Sequence, residues 1–170
     1  MQMPASGPKM RGQDRASHGV DAITEAMQGY ADRSVFRGFS VRQGRDRVEY
    51  QFTWLTPRPM TVAYDLKTHT LIFRNVLPDV ASNSPLLAEA RALVEDRTRN
   101  CLPAHRRIDA RRARLSLTLH RKCVSLTWSI RGQHHQYVVK KALNFVNELF
   151  VMLHATYPDY LIKSFGFPDE

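Results

Sequence analysis

Val48-Glu49-Tyr50-Gln51-Phe52-Thr53-Trp54 decides the fold of this chain. Large apolar side chains alternate with polar ones at a period of two, the pattern of a β-strand with one face buried and one face wet. Thr56-Pro57-Arg58-Pro59 must then be a loop, because proline supplies no ladder donor. Met60, Val62, Tyr64 and Leu66 resume the alternation, and Leu71 and Phe73 continue it after a Lys67-Thr68-His69-Thr70 turn. A weaker strand-like run, Val35 to Val41, precedes them. The outcome expected is an antiparallel meander. Residues facing each other across such a pair share a sheet face, which pairs Trp54 with Met60, Phe52 with Val62 and Tyr50 with Tyr64. The next pair joins Leu66 to Leu71 and Tyr64 to Phe73, leaving Glu49, Gln51, Thr53, Thr61 and Asp65 on the wet side.

A second hairpin lies further along. Ala113, Leu115, Leu117 and Leu119 alternate with Arg112, Arg114, Ser116, Thr118 and His120, and Val124, Leu126, Trp128 and Ile130 alternate with Cys123, Ser125, Thr127 and Ser129. Pairing Leu119 with Val124 also pairs Leu117 with Leu126, Leu115 with Trp128, Arg114 with Ser129 and Arg112 with Arg131. These pairs run across a two-residue turn, Arg121-Lys122, which lacks the glycine or asparagine that such a turn prefers and so leaves a wider loop as the alternative.

Helices surround these strands. Val20, Ile23, Met27 and Tyr30 recur at helical spacing on a first helix ending near Ser34. Ser84-Pro85 supplies a cap and a first-turn proline for a helix with Leu86, Leu87, Ala90, Leu93 and Val94 on its apolar stripe, ending near Asn100. From Gln136 to about Thr156, Val138, Val139, Ala142, Phe145, Val146, Leu149, Phe150 and Leu153 form a broad apolar face expected to cover the meander. Pro158 ends it, and Tyr160, Leu161, Phe165 and Phe167 fold back as a cap. The fold class is α+β, with five to six antiparallel strands and the helices on one face.

At 170 residues the chain suits one domain, expected over 20–170 after a flexible tail at 1–19, where Met3 and Met10 are alternative starts. Two cysteines, Cys101 and Cys123, are too few for a disulfide framework, and with no long apolar run the expected location is cytoplasmic. The phosphate-loop, zinc-protease and nucleophile-elbow motifs are absent, so no catalytic residue, cofactor or metal is assigned and a non-enzymatic role is expected. His134-His135, with His120 and Cys123 across a turn, lacks metal-ligand spacing and reads as exposed loop histidines.

The charge is local. Of 25 basic and 16 acidic residues, nine basic ones (Arg97, Arg99, Arg106, Arg107, Arg111, Arg112, Arg114, Arg121, Lys122) lie between 97 and 122 with one acid, Asp109. The remainder, sixteen against fifteen, is nearly neutral. Arg97 and Arg99 suit a helix end, where positive charge complements the macrodipole and needs no ligand. Arg106, Arg107, Arg111, Arg112 and Arg114, with Arg131 across the strands, are the candidate contacts for phosphates or an acidic protein surface. Between Arg97 and Lys122 there is no Phe, Tyr or Trp, which argues against sequence-specific readout by base stacking.

The order helix, meander, helix, hairpin, long helix resembles the type III secretion chaperone-like fold, and within it the YbjN-like bacterial proteins. The residues concerned are Val48 to Trp54, Pro85 to Val94, Leu115 to Ile130, and Leu149 to Pro158 with its Ala155-Thr156-Tyr157-Pro158 ending. The resemblance implies a non-enzymatic domain that binds a polypeptide partner, often as a homodimer. Secretion chaperones are typically acidic whereas this chain carries a net +9, so the resemblance bears on the fold rather than on an export role. Non-specific binding of nucleic acid or another polyanion through the basic segment is the alternative. A membrane partner is not expected.

Overall fold

The alternating run around Tyr50 forms the second of six strands in a single antiparallel sheet. The computed structural model describes residues 8–99 and 102–168, with side chains from residue 18 onward. Its elements are α1 (Pro8–Asp32), β1 (Arg37–Gln43), β2 (Arg47–Thr53), β3 (Pro59–Asp65), β4 (Thr70–Leu77), α2 (Pro85–Thr98), β5 (Ala113–His120), β6 (Cys123–Ile130), α3 (His135–Thr156) and α4 (Pro158–Phe165). The strand order is β1-β2-β3-β4-β6-β5. The last hairpin therefore enters with β6 beside β4 and leaves β5 as an edge. Inward side chains such as Tyr50, Phe52, Tyr64, Phe73, Leu126 and Trp128 are fully buried beneath the helices, while the opposite face carries Ser116, Thr118, Ser125, Thr127 and Ser129.

Two expected registers need correction. Phe52, not Trp54, faces Met60, and Tyr64, not Leu66, faces Leu71. Each turn is set one residue earlier than the apolar pattern suggests, and because both partners shift together, every side chain keeps its face. Asp65 shows why at the second turn: its Oδ1 accepts from the backbone N–H groups of Lys67 and Thr68, so the chain begins to turn immediately after it. β4 runs on to Leu77 through Asn75, which takes a φ of 49° at an irregularity between Phe73 and Leu77.

The hairpin of β5 and β6 has the expected pairs, from Ala113 with Ile130 to His120 with Cys123. Its loop is the two-residue turn. Arg121 and Lys122 both adopt positive φ, 50° and 63°, as a two-residue turn requires, and the Lys122 carbonyl accepts a bond from the Val80 N–H. A tertiary hydrogen bond thus holds a conformation that these residue types do not favour by themselves.

The helices share one face. α3 rests chiefly on β6 rather than on the meander, with Phe145 edge-on to Trp128 at 6.1 Å, because the inserted hairpin moves the centre of the sheet away from β2. α1 lies beside α3 and ties to β2 through a 2.7 Å bond between the Thr24 and Tyr50 hydroxyls. That helix begins at Pro8, upstream of the expected start at Val20, so residues 8–19 are helical where a flexible tail was expected. Ser84 caps α2 as expected, accepting from the Leu87 N–H at 3.3 Å. α4 folds back so that Phe165 meets Phe150 at 5.5 Å, and the Tyr160 hydroxyl donates to the Pro78 carbonyl. Burial, and to a lesser degree Asp79, pushes the Tyr160 phenol well above its usual range.

Candidate binding groove and cationic cleft

The basic segment does not form one patch. Ile108, buried in the loop between α2 and β5, lines two hollows, and the arginines divide between them. The first is a groove of about 520 Å³ between α2 and the free edge of β5. Val94, Ile108, Ala113 and Leu115 give it an apolar floor, and Arg114 and Arg131 stand at its rim with Glu95. The two arginines meet there because the ladder pairs Arg114 with Ser129 and continues through a bond from the Arg131 N–H to the Arg112 carbonyl.

The two sheet edges differ. β1 is irregular between Arg37 and Ser40, where Gly38 takes a φ of 62° that glycine tolerates best, and such a bulge blunts an edge against further pairing. β5 pairs with β6 from Ala113 to His120 with no register shift. It presents a regular free edge beside an apolar groove.

The second hollow, about 240 Å³, lies between the 105–108 loop and α3 and is lined by Arg97, His105, Arg106, Lys141, Asn144 and Glu148 among others. Tyr137 organises it. Its hydroxyl accepts from the Asp109 N–H at 2.9 Å, and its ring is flanked by the Arg112 guanidinium at 4.9 Å and the Lys141 ammonium at 5.6 Å. Lys141 also donates to the His105 carbonyl at 2.6 Å. Burial lowers the Lys141 pKa below its ordinary value, helped by repulsion from Lys140 and Arg112 and opposed by Glu148.

Each arginine singled out in the sequence now has a place. Arg114 and Arg131 share the groove, and Arg106 lines the cleft. Arg112 sits over Tyr137 with Asp109 at 3.6 Å, so its charge is partly answered within the chain. Arg111 is exposed on the loop, its N–H bonded to Asp109 Oδ1, and Arg107 is half-buried with an interaction of its own. Arg97 corrects its expectation: rather than only complementing the end of α2, it is buried and ion-paired with Glu148 on α3. Lys141, Asn144 and Glu148, at offsets of three and seven, form a polar stripe on one side of α3, a signal the sequence offered.

The histidines also need correction. His135 is not an exposed loop residue but opens α3, buried, with Nε2 3.2 Å from the Tyr64 hydroxyl, which lies 3.4 Å from His69 Nδ1. Burial first, then the neighbouring His69, lowers its pKa. His120 and Cys123 pair at the hairpin tip, and Cys101 lies outside the described residues. Among the described residues no three His, Cys, Asp or Glu side chains are grouped to hold a metal, and no helix is long and apolar enough to cross a membrane.

No family model matches the chain, and neither curated proteins nor solved structures give a match.

Proposed function

We propose that this protein is a non-catalytic, cytoplasmic protein-interaction module that takes an extended, acidic segment of a partner polypeptide as an added strand on β5. The observation that carries the reading is the coincidence of an unbulged edge strand, an apolar groove beside it, and two arginines on its rim. An added strand forms main-chain hydrogen bonds with the free edge and sends alternate side chains to opposite faces. Those directed toward α2 would meet Val94, Ala113 and Leu115, and those on the open face would meet Arg114 and Arg131. A segment alternating apolar and acidic residues satisfies both. This is the kind of role that the resemblance to YbjN-like proteins implies.

Division of the arginines between two hollows suits a short acidic segment better than a continuous nucleic-acid backbone.

The test uses a synthetic peptide of alternating valine and glutamate long enough to pair with the eight residues of β5. It should bind saturably, and Arg114→Gln combined with Arg131→Gln should weaken binding by at least about tenfold, since each charged contact contributes roughly 1.5–3 kcal/mol. Equal binding of a valine–lysine peptide, or binding of neither, would refute the assignment.

A further inference from the structure

We infer that the cleft between the 105–108 loop and α3 is a binding site for a phosphate group, separate from the strand-addition groove. Three basic side chains come from three different parts of the chain: Arg97 from the end of α2, Arg106 from the loop and Lys141 from the second turn of α3. Asn144 and Asn147 add amide donors on the same wall, and His105 completes the loop side. Glu148 is the carboxylate that lines it, and it is engaged with Arg97. Glu148 also attracts Lys141, so it is shared between two of the cations, and it is the one acid among the described residues lining the cleft.

Two details of this wall decide which of its donors a ligand would meet. The Arg97 side chain is 9% exposed, and its Nε has no hydrogen-bond partner among the described residues. The Glu148 Oε2 with which Arg97 is ion-paired is likewise buried without a hydrogen bond, so Arg97 stands in the wall as half of that pair and the donors offered to the hollow are those of Arg106 and Lys141. Lys141 spends one of its three donors on the His105 carbonyl, which fixes the ammonium at the mouth and leaves two N–H groups to give. The Tyr137 ring, bordered by both Lys141 and Arg112, keeps the loop seated. A compact oxyanion with several acceptor oxygens meets this geometry better than a single carboxylate, and the cleft volume of about 240 Å³ leaves room for a small group attached to the phosphorus.

The experiment is a titration of the full chain at low ionic strength with inorganic phosphate, O-phosphoserine and a mixed-sequence oligonucleotide, followed by calorimetry and by amide shifts of residues 105–108 and 141–148. Saturable binding of phosphate or O-phosphoserine supports the site. Phosphate binding alone assigns a free-ion ligand, and tighter O-phosphoserine binding assigns a phosphomonoester. Lys141→Gln and Arg106→Gln should each weaken it about tenfold, the equivalent of one charge-assisted bond. Arg114→Gln, on the other side of Ile108, should leave phosphate binding unchanged, and Lys141→Gln should leave the valine–glutamate peptide unaffected. No saturable phosphate binding, binding of the oligonucleotide alone, or full retention of affinity in Lys141→Gln/Arg106→Gln would overturn the inference.

Discussion

Two glycines on one helix should respond to the same substitution with opposite sign. A Cβ on Gly19 would lie 2.6 Å from His135 Nε2 and 3.0 Å from both His135 Cδ2 and the Tyr64 hydroxyl, whereas one on Gly29 would meet nothing within 4 Å. Neither position has a left-handed backbone, so Gly29→Ala should gain the helix-propensity difference, about 1 kcal/mol. Gly19→Ala has the same gain but opposes it with a clash. His135 and Tyr64 are both buried, so the imidazole must retreat by nearly an ångström within a packed interior and loosen its 3.2 Å bond to Tyr64. Overpacking costs about 1–3 kcal/mol and a lost hydrogen bond about 1, leaving a net loss of about 1–3 kcal/mol. At this chain length that lowers Tm by about 2–4 °C per kcal/mol. Urea unfolding with an unchanged m-value measures it. In a His135→Ala background the two imidazole contacts are gone and the Tyr64 hydroxyl at 3.0 Å remains, so the penalty of Gly19→Ala should shrink markedly. If Gly19→Ala stabilises the native chain as much as Gly29→Ala does, the close seating of α1 on His135 is wrong.

Other expectations follow from the buried charges and loop ties. Glu148→Gln leaves the Arg97 guanidinium buried without its counter-ion and should cost about 2–3 kcal/mol, at the low end for buried pairs because Glu148 is about one-third exposed; Arg97→Met, which removes the charge instead, should cost less by the same denaturation measurement. Because folding holds the His135 pKa below its ordinary 6.5, the unfolded chain binds more protons in acid. Its contribution should be complete above about pH 6.5 and decline as pH falls toward the folded value, and His135→Gln should remove that part of a stability–pH profile. Tyr137→Phe keeps the ring under Arg112 and Lys141 but removes the acceptor for the Asp109 N–H, so hydrogen exchange of residues 105–112 should accelerate while the sheet core stays protected.

The sheet was legible because its strands alternate cleanly and because parity constrains which faces can meet. Alternation cannot set a register to better than two residues, and the decisive choice at Asp65 was made by a side chain capping its own turn. Strand order was hidden as well, since nothing local specifies that β6 rather than β5 joins β4. The arginines were visible as a run, yet their division depended on Ile108 and on partners distant in sequence, Tyr137, Lys141 and Glu148. His135 was misread because adjacent polar residues before a helix suggest a loop, whereas Gly19 opens a space that buries the second of them. The Arg121-Lys122 turn shows the same limit: its carbonyl bond to Val80 is a tertiary contact with no local signature.

Strand addition on β5 can be seen in amide exchange recorded across β5 and β1 with and without the valine–glutamate peptide. New protection is expected on alternate amides between Ala113 and His120, none on β1, and loss of the effect in Arg114→Gln/Arg131→Gln. Saturable peptide binding that leaves every β5 amide exchanging at its free rate would contradict strand addition.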